Sequence, residues 1–263
     1  MSRNTSVDAD AASNCAAESY DERFYRYIEQ GSARSAVAVR AALEKVLPFP
    51  IRSVLDVGCG AGAWLTAFRS ESCSVLGIDG AHVARDSLCI EASEFAEHDL
   101  AQAFVLGRRF DLVLCLEVAE HLPDSSAALL VESLCRHGDV ILFSAAPPGQ
   151  GGAAHINEQP YEYWRTLFAA RGYRMYDTVR RAIADLHEVS YWYRYNAFLF
   201  VNGSALPELH ERLAADALAP GVPVPDVAPW LFRLRRRLIG LLPVPLVSWL
   251  ADLRKNMLTT GAR

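Results

Sequence analysis

The sequence predicts an α/β protein: a seven-stranded, mainly parallel sheet with helices on both faces, plus a C-terminal helical tail. Three observations carry this. From Ser53 to Asn202, apolar runs of strand length alternate with helix-like stretches. The first run, Val54-Leu55-Asp56-Val57, leads into Gly58-Cys59-Gly60-Ala61-Gly62 and a helix-like segment, so it reads strand, glycine turn, helix. The second run, Ser74-Val75-Leu76-Gly77-Ile78, ends on Asp79, 21 residues after Gly58. A nucleotide-binding βαβ unit keeps its ribose-binding carboxylate at that distance.

In chain order, residues 1–17 are rich in Ser, Asp and Ala and have no apolar stretch of signal-peptide length, the composition of a disordered lead-in. Tyr20, Phe24, Tyr27 and Ile28 repeat at helical spacing until Gly31-Ser32 breaks the run. A second helix over 33–47 stops at Pro48 and Pro50. Candidate strands follow at 53–57, 74–78, 89–91, 110–116, 139–145, 174–179 and 196–202, with helices near 63–69, 81–86, 123–136 and 160–171. Leu122-Pro123-Asp124 marks a helix start, because proline placed early loses no hydrogen bond. After Asn202, five prolines among many alanines predict a short helix and then a linker over 203–229. The tail, 230–263, offers two amphipathic helices. One carries the stripe Trp230, Leu231, Leu234, Leu238 with Arg233, Arg236 and Arg237 on the other side; the next carries Leu246, Trp249, Leu250, Leu253 and Met257. The expected organisation is a lead-in (1–17), one domain with N-terminal cap helices (18–202), the linker and the tail.

Composition bounds the partners. With 51% hydrophobic and 22% charged residues the chain has the make-up of a soluble globular protein. Its net charge of −5 argues against nucleic acid as the main partner. The tail departs from this balance, with seven basic residues and one acidic from Trp230 to Arg263. Such a tail suits an anionic membrane surface or a protein partner, or docks on the domain with its arginines solvated. The longest uncharged stretch, 238–251, is broken by two prolines and too short to span a bilayer. The six cysteines form no CxxC pair and read as small buried hydrophobes. The expected compartment is the cytoplasm.

Four segments in series resemble the successive motifs of class I S-adenosylmethionine-dependent methyltransferases, over roughly residues 50 to 202: Leu55 to Gly62, Gly77-Ile78-Asp79-Gly80, His98-Asp99-Leu100, and Phe110 to Pro123. The resemblance implies a Rossmann-like fold and S-adenosylmethionine as cofactor. It implies that the turn Gly58-Cys59-Gly60 approaches the amino-acid end of the cofactor, with Asp56 beneath ordering the turn. It also implies that Asp79 takes the ribose hydroxyls, that Gly80 leaves room for the adenine, that Asp99 and the backbone of Leu100 contact the ring, and that Glu117 lies near the cofactor. Helices before the first strand often cover the cofactor in this fold; packing on the sheet is the plain alternative. A non-catalytic binding module that keeps the fold and anchors a partner through its basic tail, and a nicotinamide-dependent oxidoreductase, are the other classes. The acids Asp79 and Asp99 count against the first, and the glycine spelling with Asp99 counts against the second.

Two stretches bear on chemistry. On a turn or short helix Glu117, Glu120 and His121 share a face. The segment resembles both metal-dependent methyltransferases of the ubiquinone pathway and of small-RNA 3′ ends, in which it holds a divalent ion, and metal-free relatives spelled the same way; the metal-free reading is the expectation here. The loop 145–160 resembles a subgroup of bacterial methyltransferases met in glycan and secondary-metabolite settings, through Gly149-Gln150-Gly151-Gly152 and His155-Ile156-Asn157-Glu158-Gln159. His155 is the candidate general base, since an alcohol acceptor benefits from proton removal and imidazole titrates near neutrality. Glu120 and His121 complete the candidate catalytic set. Asn157 and Glu158 either bond acceptor hydroxyls or cap the helix that starts at Pro160. The aromatics of 191–195 either wall the acceptor pocket or belong to the core. The expected reaction is O-methylation of a small hydroxylated acceptor, a sugar or a secondary metabolite, with N- or C-methylation as the runner-up.

Overall fold

The computed structural model describes residues 31–242. The expected lead-in, the region 18–30 and the second tail helix lie outside the described residues. Strands β1 (Ser53–Val57), β2 (Ser74–Asp79), β3 (Phe95–Glu97), β4 (Leu112–Leu116), β5 (Val140–Ser144), β6 (Tyr173–Tyr176) and β7 (Phe198–Asn202) form one sheet in the order β3-β2-β1-β4-β5-β7-β6. All neighbours pair in parallel except β7, which runs against both β5 and β6. The predicted α/β sheet is therefore present, with one reversed strand.

The strands are apolar on both faces because both faces are covered. Val54 and Leu112 point into one core with Val39 and Leu43 of α1 (residues 31–46), Leu65 of α2 (Ala63–Thr66) and Val179 of α5 (Thr178–Ile183). Leu55, Val57 and Val113 point into the other with Leu130 and Leu134 of α3 (Ala127–His137) and Trp164 and Phe168 of α4 (Tyr161–Ala169). The order reverses between β1 and β4, so the carboxyl ends of these strands open the crevice in which α/β sheets bind ligands.

Several expectations are corrected. Residues 89–91 are not a strand: Ile90 is apolar because it packs on the bare α-carbon of Gly62, where a Cβ would come within 2.9 Å of it. The third strand lies later, at Phe95. Residues 81–86 form no α-helix, only a short 3-10 turn at Arg85–Ser87. Gly31 and Ser32 have helical backbone and open the described part of α1; Ser35 Oγ donates to the Gly31 carbonyl at 2.7 Å. The sixth strand stops at Tyr176, because Asp177 turns the chain into α5 and holds the buried Arg180 through both carboxylate oxygens, at 2.5 and 2.7 Å. The aromatic run becomes a helix, α6 (Tyr191–Asn196).

Segment 203–229 is strapped to the domain rather than free. It holds α7 (Pro207–Arg212), whose Leu209 is fully buried, and Ala217 bridges to Tyr176 at the sheet edge. Arg165 donates to the carbonyls of Ala219 and Val222, both at 2.8 Å, and Arg180 donates to that of Pro225 at 3.1 Å. A last described helix, α8 (Trp230–Ile239), follows.

Candidate active site

The glycine turn is built from the ends of β1 and β2. Gly58 and Cys59 donate their N–H groups to the carbonyl of Ile78 at 2.8 and 3.3 Å. Gly58 has φ +81°, and a Cβ there would lie 2.3 Å from Val118 Cγ2, so only glycine fits. A Cβ on Gly60 would meet nothing within 4 Å, which leaves this side of the turn open to a close approach. Asp79, 7% exposed, ties the turn to β2: its Oδ2 accepts the Gly60 N–H and its Oδ1 the Gly80 N–H, both at 2.7 Å.

The role expected of Asp56 therefore belongs to Asp79. No hydrogen bond joins the Asp56 carboxyl to the turn among the described residues. Burial, and secondarily the charge of Asp79, push the Asp56 carboxyl up to about 8. Cys59 points inward, where a Cβ on Gly77 would come within 2.5 Å of its sulfur, and burial raises its thiol far from reactivity. The α-carbon of Gly80 is occupied on its Cβ side by His82, whose Nδ1 would lie 2.8 Å from a Cβ. Asp99 is exposed at the end of β3, its Oδ1 accepting the Ala101 N–H at 3.0 Å, while Leu100 is buried in the core.

Glu117, the residue after β4, is held in the left-handed region at φ +55°. Its N–H donates to the Ser144 carbonyl at 3.0 Å, with Ser144 Oγ at 3.1 Å. Gln150 Nε2 and Asn196 Nδ2 donate to its carboxylate at 3.0 and 3.2 Å. Asn196 also donates to Gln150 Oε1 at 2.9 Å and accepts from the Tyr161 hydroxyl at 2.9 Å. Burial raises the Glu117 carboxyl despite these donors. Sequence reasoning missed Asn196, Tyr161 and the side-chain role of Gln150.

Glu120 is fully buried one turn further on. Its Oε1 accepts the Ala146 N–H at 3.2 Å, and its Oε2 has no partner. Burial, and then the nearby Glu117, raise its carboxyl well above the carboxylate range. The Glu120 carbonyl accepts the N–H groups of Ile156 and Asn157 at 2.9 and 3.0 Å, which folds the loop 145–160 back over it. His155 and His121 thereby meet edge to face, ring centroids 4.8 Å apart. One ligand-type atom each from Glu120, His121 and His155 lies within 4.8 Å of the others.

Both imidazoles are fixed through Nδ1. His121 Nδ1 donates to the carbonyl of Ala154 at 3.2 Å, and His155 Nδ1 donates to Glu158 Oε1 at 2.8 Å. The acceptors on Nδ1 leave each Nε2 as the basic nitrogen. Burial, and then His155, lower the pKa of His121 below the usual imidazole value. Gly152 makes room for the second ring: a Cβ there would lie 2.2 Å from His155 Nε2. Glu158 neither caps α4 nor faces open solvent. It accepts the N–H groups of Gly149 and Gly151, both at 2.7 Å, besides orienting His155. Asn157 donates to the Ala119 carbonyl at 3.4 Å and accepts from Gln159, so it does not cap α4 either.

The aromatics of α6 divide. Tyr193 is core, edge-on to Trp64 and within 3.1 Å of its indole nitrogen, whereas Tyr191 and Tyr195 meet Phe232 of α8. Helix α8 lies on the loop: Arg235 donates to the Gln150 carbonyl at 3.3 Å, and a Cβ on Gly149 would lie 2.1 Å from the Arg236 carbonyl oxygen.

A family model for a methyltransferase domain matches residues 25–177, more than half of the chain. Two curated relatives are ubiquinone biosynthesis O-methyltransferases. The one from Pseudomonas syringae pv. tomato is 30% identical over 131 residues, 46% of this chain and 50% of the relative. The one from Pseudomonas fluorescens is 31% identical over 130 residues, with the same coverage. The chain thus spans about half the length of the curated relatives it matches. Among solved structures, a sugar N-methyltransferase from Streptoalloteichus superposes with a TM-score of 0.53 at 20% identity, covering 69% of this chain and 92% of that one. At that identity the likeness concerns the fold.

Proposed function

The chain belongs to the class I S-adenosylmethionine-dependent methyltransferase family, and from that premise we propose that it O-methylates a small hydroxylated acceptor with His155 as general base. The observation that carries the reading is the His155–Glu158 pair, at 2.8 Å. An orienting carboxylate on Nδ1 is the arrangement that readies Nε2 to take a proton.

The residues at the carboxyl ends of β1 and β2 suit the cofactor. Asp79 lies close enough to the buried Asp56 carboxyl to help raise its pKa, so a cation above the turn relieves Asp56. Gly60 leaves the turn backbone approachable. In this reading Asp79 keeps lone pairs for the ribose hydroxyls, Asp99 and the backbone of Leu100 contact the adenine, and Glu117 takes the amino-acid end. The bound cofactor supplies an electrophilic methyl group on a sulfonium. The chain's own work is to hold the acceptor hydroxyl in line and to accept its proton at His155 Nε2. His155→Ala should lower turnover by about 10²–10⁴-fold and leave calorimetric affinity for S-adenosylmethionine nearly intact. Unchanged turnover sinks the assignment.

One observation favours a second reading of the same residues. Glu120 Oε2 is buried without a partner beside two imidazoles that are hydrogen-bonded through Nδ1. A divalent cation suits that donor set and lowers the pKa of an acceptor hydroxyl. Glu120, His121 and His155 would hold it. Turnover lost in EDTA and restored by manganese or magnesium decides for this reading; turnover indifferent to EDTA decides for His155 as base.

A further inference from the structure

Helix α8 has two faces, and the structure inverts the usual one. Phe232, Arg235, Arg236 and Ile239, at helical spacing, are the less exposed residues. Phe232 meets Tyr191 and Tyr195 at centroid distances of 5.1 and 5.6 Å, and Arg236 pairs with Asp226 at 2.7 Å. The apolar stripe faces away from the domain: Trp230 and Leu231 are 65% and 61% exposed, Leu238 58%, and Leu241, just past the helix, 80%. Of the four arginines of α8, Arg235 and Arg236 turn toward the domain. Arg233 and Arg237 remain exposed along one flank of the stripe.

We propose that this outward face of α8 docks on an anionic lipid bilayer, lying in the interface with the leucines and Trp230 inserted and Arg233 and Arg237 on headgroup phosphates. The charge pattern selects that partner. Helix α8 carries four arginines and no acid, within a segment, 230–263, of seven basic residues and one acidic. The whole chain is acidic at −5, so an anionic surface is repelled by the body and drawn to this one face. An apolar stripe of this kind exposed beside arginines is the pattern of an interfacial helix, and arginine stems cover apolar surface while their heads reach phosphate. No helix among the described residues is long and apolar enough to cross a membrane, so the contact is peripheral. The family match ends at residue 177, well before α8. The opposite face of the same helix touches Gln150 and Gly149, so docking would bring the His155 loop to the lipid surface.

The test is cosedimentation of the full chain with phosphatidylcholine vesicles, with and without phosphatidylglycerol, over a salt series. The expected result is binding to the phosphatidylglycerol vesicles that weakens as salt rises. Leu234→Glu with Leu238→Glu should weaken it by at least about tenfold, and Arg233→Ala or Arg237→Ala by roughly fivefold each. These side chains point away from the domain, so calorimetric affinity for S-adenosylmethionine should be unchanged, which separates loss of docking from misfolding. Because this readout uses no turnover, it stands apart from the methyl-transfer reading. Absence of binding at low salt overturns the proposal, as does equal binding by the glutamate variant. So does a concentration-dependent dimer in solution that the glutamate variant abolishes, which would identify a second copy of the chain as the occupant.

Discussion

Asp56→Asn tests the electrostatics of the turn. In the folded chain the Asp56 carboxyl is held up to about 8, from an ordinary 3.8, by burial and by Asp79. The raised value means the fold favours the protonated form. The contribution of this group to stability is complete below 3.8 and is lost as pH climbs toward 8. Each pH unit inside that window costs the wild type about 1.4 kcal/mol, whereas asparagine, which does not titrate, loses nothing. Between pH 5 and pH 7 the variant should therefore gain on the wild type by about 3 kcal/mol, whatever the baseline effect of the amide. Urea unfolding of both proteins at pH 5, 6, 7 and 8, without cofactor, measures the difference directly. A gap that stays constant with pH, or narrows, would falsify the burial argument. Saturating S-adenosylmethionine, a cation, should flatten the wild-type dependence, and its binding near pH 7 should release protons, seen as a calorimetric enthalpy that varies with buffer.

Two further perturbations bear on the site. Asp79→Ala removes the acceptor of the Gly60 and Gly80 N–H groups as well as the proposed ribose contact, so cofactor affinity by calorimetry should fall about 10- to 100-fold; unchanged affinity in a folded variant removes Asp79 from the cofactor site. Gly152→Ala puts a Cβ 2.2 Å from His155 Nε2, so the ring must move and turnover should drop with cofactor affinity kept; full turnover shows that Nε2 is not the working atom.

The sheet and the turn were legible because their signals are local. A strand ending in Gly58 or Asp79 declares itself within a few residues, and the β2 carboxylate follows at a fixed distance in a βαβ unit. The network around Glu117 was not legible, since its partners Gln150 and Asn196 come from segments 33 and 79 residues away. Only the pairing of β4, β5 and the reversed β7 brings them together. Glu158 stays open in the sequence for a related reason: a carboxylate near a helix start can cap it or bond a ligand, whereas here three donors from its own loop compete for it and win. The orientation of α8 was beyond periodicity altogether. Periodicity shows that a helix has two faces and not which one the domain takes. Phe232 and Arg236 won because Tyr191, Tyr195 and Asp226 had been brought to that spot by other elements.

The acids of the site also explain why a cation is wanted there. Burial raises the carboxyls of Asp56, Glu117 and Glu120, and the fully buried Cys115 of β4 feels Asp56, Glu120 and Asp79 together. Burial makes a nearby positive charge favourable to each of these raised carboxyls, and the cluster falls into two halves. Asp79 is committed to the turn beside Asp56, at the β1 and β2 ends. Glu117 is held in its left-handed backbone by Ser144 and accepts from two amides, whereas the nearby Glu120 leaves Oε2 buried and unpartnered beside the histidines. A sulfonium cofactor suits the first half. What quiets the second, a proton or a metal ion, decides whether His155 acts as base or as ligand; the EDTA experiment reads that choice alone.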